Sequence, residues 1–238
     1  MNTPTRFSNP DADKGDLTKV FRSTRWFLLL EPGAQEQVVR DGSFRTLSAG
    51  EALSRYGDRA HAWFGVVAGL LKWSATTADG RSVTLGGLTS GSWFGEGSLL
   101  HGRPVLADII ALRMSVVVQV PRETFLWLCE TNASFDRFLL NQINERLHWF
   151  MGDFVAHRLL GPDLLVARAL VGLLHPWLNP GARRRIEISQ EEVAHLAGVS
   201  RQRCNRALRT MEAGGLVALE YGAVTTLDLD GLRRLAGE

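Results

Sequence analysis

The densest set of chemistry-bearing side chains in this 238-residue chain falls between Ile188 and Leu229. Ser189 stands three positions before Glu192, the spacing of a capping box, so a helix begins there, with Val193, Ala194, Leu196 and Ala197 as its apolar face. Gly198-Val199 makes a turn, and Ser200 caps a second helix over 201–213 whose apolar side is Cys204, Ala207, Leu208 and Met211. Its remaining positions carry Arg201, Gln202, Arg203, Asn205, Arg206 and Arg209. Two short capped helices, a small Ala194 at their crossing and a glycine in the turn follow helix–turn–helix grammar. The chemistry open to the polar face is base and phosphate recognition. Arginine donates two bonds to guanine, glutamine binds adenine in the same bidentate way, and further arginines meet phosphates. Gly214-Gly215 ends the second helix. Leu216–Leu219, a turn at Tyr221-Gly222-Ala223 and Val224–Leu229 then read as a two-stranded wing.

Net charge does not announce such a role. Lys and Arg number 27 against 25 Asp and Glu, a formal +2, which excludes a polybasic binder but not a specific one. From Arg183 to Arg209 seven arginines face three glutamates, a local excess of four. Other chemistries find little support. A Gly-rich phosphate loop, a metal-spaced His/Cys/Asp set and a nucleophile elbow are all missing from the sequence, so no enzyme, metal or cofactor is expected. Cys129 and Cys204, 75 positions apart, read as reduced thiols without a resolving partner for a redox switch. The apolar run Trp26–Leu30 is far too short to cross a bilayer, and the polar N-terminus is no signal peptide, so no membrane partner is expected and the chain reads as cytoplasmic.

The elements that must position this segment follow from texture and period. Hydrophobic residues at 45% and charged residues at 22% are those of a folded globular chain. Residues 1–20 read as a flexible arm, and 24–40 as a helical patch interrupted by Pro32-Gly33. From Gly42 to Val120, short strand-like runs such as Trp63–Val67, Ser82–Leu85 and Ser115–Val120 alternate with turn signals, among them Asp79-Gly80, as in a β-sandwich or roll. After Pro121 the period lengthens. Residues 122–130 suit a short helix, and Ser134 is placed to cap a longer one to about Leu160. Leu139, Ile143, Leu147, Phe150 and Phe154 make one stripe on it, opposite Asn141, Asn144, Glu145 and Arg146. That stripe fits packing within the chain or pairing with a twin helix. Gly161-Pro162 breaks the helix and marks a domain boundary, and a further apolar helix covers 164–174.

A β-roll, a long striped helix, a Gly-Pro hinge and a winged helix–turn–helix, in that order, resemble the Crp/Fnr family of bacterial transcription regulators. The sharpest matches are Ile188–Ala194 with Gly198–Arg201, and Gly91-Ser92-Trp93-Phe94-Gly95-Glu96. The resemblance implies an α+β fold: a jelly-roll-like sensor over 21–133, a dimerisation helix over 134–160, a hinge at 161–162 and a winged helix–turn–helix over 163–238. It implies a homodimer that reads a near-palindromic double-stranded operator in successive major grooves, with RNA polymerase as a further partner. Arg201, Gln202 and Arg206 match base-reading positions, Ser189, Gln190 and Ser200 match phosphate-contacting or capping ones, and Arg203 and Arg209 share the helix. Because the middle reader is Gln202 rather than the common Glu, the middle of the half-site is expected to differ.

For an effector, Gly95, Glu96 and Gly97 match the family's cyclic-phosphate and ribose site at a helix start. The cation that should follow about ten residues later is missing: the segment reads Pro104-Val105-Leu106-Ala107-Asp108, with Arg103 the nearest substitute. The polar pair expected from the long helix is replaced by Trp149, Phe150 and Met151, which suit an apolar effector pocket or a dimer core. Cyclic AMP is therefore not the expected effector, and the family's constitutive, effector-free mode stands beside an allosteric one. Residues 1–128 lack the cysteines of the oxygen-sensing branch, and His61, His101, His148 and His157 qualify as haem ligands by residue type alone.

Overall fold

The computed structural model describes residues 10–76, 79 and 81–237. Helix α1 (Pro10–Arg22) and a single 3-10 turn (Phe27–Leu29) lead into α2 (Pro32–Asp41). The expected arm is thus helical from residue 10, and Leu17 and Phe21 are buried. Three buried aromatics, Phe21, Trp26 and Phe27, give this segment an apolar face that offsets its polar composition. Pro32 opens α2 at its first turn instead of interrupting a helix, since the amide it lacks would be unpaired there anyway.

Eight strands follow: β1 (Ser43–Leu47), β2 (Ala52–Ser54), β3 (Ala62–Ala68), β4 (Leu70–Thr76), β5 (Ser82–Thr89), β6 (Trp93–Phe94), β7 (Asp108–Ala111) and β8 (Ser115–Pro121). They form two four-stranded sheets ordered β1-β8-β3-β6 and β2-β7-β4-β5. The β4–β5 register runs antiparallel to Thr76↔Ser82; of the expected turn between them, residues 77, 78 and 80 lie outside the described residues. Strand β3 is buried on both faces because its period of two feeds two cores. Phe64 and Val66 join Leu71, Phe94 and Ile109 between the sheets, whereas Trp63 joins Trp26, Trp93, Phe125 and Phe135 beneath the helices.

Helix α3 (Glu96–His101) sits between β6 and β7, and α4 (Arg122–Thr131) leads to the 27-residue α5 (Ala133–Leu159). The cap of α5 is Asn132 rather than Ser134, whose hydroxyl instead donates to the Leu29 carbonyl. The expected stripe divides: Leu139 is buried in the roll, while Ile143, Leu147 and Phe154 face outward with Leu140 and Met151.

Gly161 and Pro162 start α6 (Pro162–Leu173). The C-terminal unit then contains β9 (Arg185–Ile186), α7 (Gln190–Leu196), α8 (Arg201–Ala213), β10 (Val217–Glu220), β11 (Ala223–Thr226) and α9 (Leu229–Leu235). The wing is three-stranded in the order β10-β11-β9, because two residues before α7 pair with Val224 and Thr225. A two-residue strand has no readable period, so it left no trace in the sequence.

Candidate nucleic-acid interface and effector site

Helix α8 is fixed by its apolar side. Cys204, Ala207, Leu208 and Met211 are all buried, packed against Val193 and Ala194 of α7 and the apolar face of α6. That leaves Arg201, Gln202, Arg203, Arg206 and Arg209 exposed in one row. None of these four arginines forms an ion pair with a described residue. The caps hold as spaced: Ser189 accepts from the Glu192 amide at 3.1 Å and Ser200 from the Arg203 amide at 3.4 Å. Gly198, at φ +61, takes the left-handed turn between the helices.

Two details differ from the expected pattern. The Glu192 side chain does not close the capping box. It reaches Lys72 of β4 at 3.4 Å and His195 at 3.5 Å. Gln190 is tied across the motif, its side-chain oxygen accepting from Asn205 Nδ2 at 2.6 Å, a bond that does not use its own amide N–H groups. The local cationic excess is also smaller than the count of arginines suggests. Arg185 is spent on Glu220 at 2.9 Å and Glu187 at 3.1 Å, and its hydrogen bonds hold the Glu220 carboxyl below the ordinary carboxylate value. Arg184 donates to the Leu227 carbonyl at 3.0 Å.

The residues singled out for an effector are only partly gathered. Gly95, at φ +102, turns the chain into α3 and places Glu96 in the interior at 4% exposure. Its carboxylate accepts from Trp63 Nε1 at 3.3 Å and pairs with Arg146 Nε at 3.5 Å. Arg146, expected on the polar face of the long helix, instead turns inward, donates to the Trp93 carbonyl at 2.7 Å and lies over the Trp73 ring. Phe150 meets the same Trp73 edge-on, and Trp149, Phe150 and Arg146 line one cleft between the roll, α5 and α6. Gly97 and Arg103 are exposed and outside that cleft, with Arg103 anchored through its amide to Ser98. Leu106 stands 69% exposed, and Asp108 accepts from the Tyr56 amide at 2.8 Å, so this acid closes a turn. Arg146 was not legible because it belongs to the helix by spacing and to the roll by contact.

The roll and the C-terminal unit touch extensively. Asn179 Oδ1 accepts from the Thr89 amide and the Ser92 hydroxyl, and its Nδ2 donates to Gly172 at 2.8 Å. Arg113 pairs with Glu187 at 2.5 Å, and Asp153 of α5 holds the buried Arg168 of α6 at 3.2 Å.

Residues 44–132 match the family model for the cyclic nucleotide-binding domain, and residues 166–235 match the Crp-like helix-turn-helix domain. The chain belongs to the Crp/Fnr family. The Cyclic AMP receptor protein of Thermus thermophilus is 28% identical over 200 residues, covering 81% of this chain and 87% of that relative. The cAMP-activated global transcriptional regulator Vfr of Pseudomonas aeruginosa is 27% identical over 185 residues, covering 73% and 84%. The structure of FixK2 from Bradyrhizobium japonicum shares the fold, with a TM-score of 0.70 at 16% identity over 82% of this chain and 96% of that one. This Crp/Fnr member is accordingly a Crp-like transcription regulator with a nucleotide-binding-type roll and a helix–turn–helix domain. Among the described residues no helix is long and apolar enough to cross a membrane, and no cluster of three metal-ligating side chains occurs.

Proposed function

We propose that two copies of this chain pair through α5 and place their α8 helices in successive major grooves of a near-palindromic DNA site. The observation that carries this reading is the row of five exposed polar side chains on α8, four of them arginines without a described ion-pair partner. Arg201, Gln202 and Arg206 read base edges; Ser189, Gln190, Ser200, Arg203 and Arg209 fix the register on phosphates. The pairing is supported by Leu140, Leu147, Met151 and Phe154, each more than half exposed on the outer face of α5. Leu140, Ile143, Leu147 and Phe154 keep the seam spacing of a coiled coil. RNA polymerase is the further partner of this reading.

The roll controls DNA affinity by moving the winged unit about Gly161-Pro162, through an effector other than cyclic AMP. Supporting this, Leu106 is where the family's phosphate-neutralising cation should stand, and the Glu96 carboxylate already has Arg146 and Trp63 as partners. The domains themselves fall at 21–133, 134–160 and 163–238, with α1 added to the first.

The test is fluorescence anisotropy on a duplex selected from random sequence. Arg206→Ala should cost about 1–3 kcal/mol and relax one base position. Equal binding by wild type, Arg201→Ala and Arg206→Ala would refute the assignment of α8 as the reader.

A further inference from the structure

The roll sends a charge into the helix–turn–helix. Lys72 of β4 pairs with Glu192 of α7 at 3.4 Å, across 120 positions of chain, and the two side chains are only 21% and 23% exposed. The surrounding packing fixes where that lysine stands. Lys72 is in register with Gly87 of β5, which has no side chain to hold off Leu173 of α6 and Leu196 of α7. The buried Asn179, bonded to Thr89 and Ser92, secures the same arrangement from the far end of β5. Partly exposed ion pairs add little to stability, so the seating of the winged unit rests on this packing rather than on Lys72.

Seating on the roll leaves the reading row open: Arg201, Gln202, Arg203, Arg206 and Arg209 stay exposed, as does Ser189. What the roll answers is negative charge. Glu187, Glu191 and Glu192 all stand within three positions of Ser189 and Gln190, the residues assigned above to phosphates. Three residues of helix rise about 4.5 Å, well inside the roughly 8–10 Å over which salt screens a charge. A bare carboxylate here would therefore repel an approaching duplex. Glu187 has Arg113 of the roll at 2.5 Å and Arg185 of its own unit at 3.1 Å. Glu192 has less. Apart from Lys72, its partner among the described residues is His195 at 3.5 Å, which is charged only when protonated, and its Oε2 is buried without a hydrogen bond.

We propose that Lys72 raises DNA affinity without touching DNA, by neutralising Glu192 beside the phosphate-facing residues. Full affinity then requires the winged unit to be seated on the roll, and by linkage bound DNA favours the seated arrangement in return. The neighbouring Trp73 meets Phe150 and Arg146 in the cleft described above, so one strand runs from that cleft to α7. This inference rests on α8 reading DNA, and the variants below separate the two.

The test is fluorescence anisotropy of the full chain on the selected duplex, with Arg206→Ala measured alongside. Lys72→Met, which keeps the aliphatic stem, should weaken binding about three- to tenfold, because each half-site then meets a bare carboxylate. Adding Glu192→Gln should return affinity to within about twofold of wild type, and Lys72→Arg, which keeps the cation, should match it. Lys72→Met binding within about twofold of wild type, or more tightly, overturns the proposal; the tighter result would make the seated arrangement inhibitory. So does a loss that Glu192→Gln leaves in place, since a lysine contacting phosphate directly would behave that way. A loss in Arg206→Ala with none in Lys72→Met removes this inference alone. No loss in either removes α8 as the reader, and this inference with it. Should Lys72→Met not keep the wild-type circular dichroism, Lys72→Gln takes its place and is judged by the same outcomes.

Discussion

Arg146→Met removes the partner of a buried carboxylate and is the sharpest probe of the roll. The Arg146 and Glu96 side chains are 13% and 5% exposed, so their pairing is little screened by solvent. Arg146 supplies the 3.5 Å contact to Glu96, a 2.7 Å bond to the Trp93 carbonyl and a guanidinium 5.4 Å from the Trp73 ring centroid. Deleting one member of a buried pair costs about 3–5 kcal/mol, because the survivor stays desolvated without compensation. For a chain of this size that corresponds to a fall in melting temperature of roughly 6–20 °C, at about 2–4 °C per kcal/mol. The assay is urea and thermal unfolding followed by near-ultraviolet circular dichroism, which reports on the packed tryptophans. In Glu96→Gln/Arg146→Met the unpaired charge is gone and Trp63 can still donate to the amide oxygen. The double variant should therefore be more stable than the sum of the single losses predicts, by about 0.5–3 kcal/mol. A loss below about 1 kcal/mol for Arg146→Met, or strict additivity in the cycle, would refute the idea that this arginine neutralises Glu96.

Leu147→Glu, at a residue 54% exposed, should leave the circular dichroism of the protein unchanged but shift it from dimer to monomer in sedimentation equilibrium; an unchanged dimer would place the interface elsewhere. Ser189→Ala removes the acceptor of the Glu192 amide and should cost about 1 kcal/mol of stability in denaturant unfolding, detectable as a lower midpoint at constant slope. Burial pushes the Cys204 thiol up to about 11, and burial followed by the Asp136 charge does the same for Cys129, so both should react slowly with iodoacetamide at pH 8 and faster toward pH 11. Because these folded values lie above the ordinary 9.0, unfolding releases protons first; stability from these thiols is complete below pH 9 and declines as pH rises to about 11, which urea titrations at pH 8 and 10.5 would measure.

Much of the reading unit was written locally. Caps, a turn glycine and the three- and four-residue spacing of Cys204, Ala207, Leu208 and Met211 specify α7 and α8 through contacts within a few positions, so the exposed row from Arg201 to Arg209 was visible in the chain itself. The roll and the long helix were legible for the same reason, as changes of period. Contacts between residues distant in sequence were decided only by tertiary structure. Glu96 and Arg146 are fifty positions apart, and spacing assigned Arg146 to a polar face because helical period says which residues share a side, not what stands opposite. Likewise Leu139 follows the stripe of Leu147 and Phe154 yet is buried beneath the roll, and the Glu192 carboxylate that spacing gave to Ser189 reaches Lys72 instead. Helix α1 shows the same limit from the other side: its polar sequence carries almost no local signal, and its order comes from burying Leu17 and Phe21 against strands laid down later in the chain.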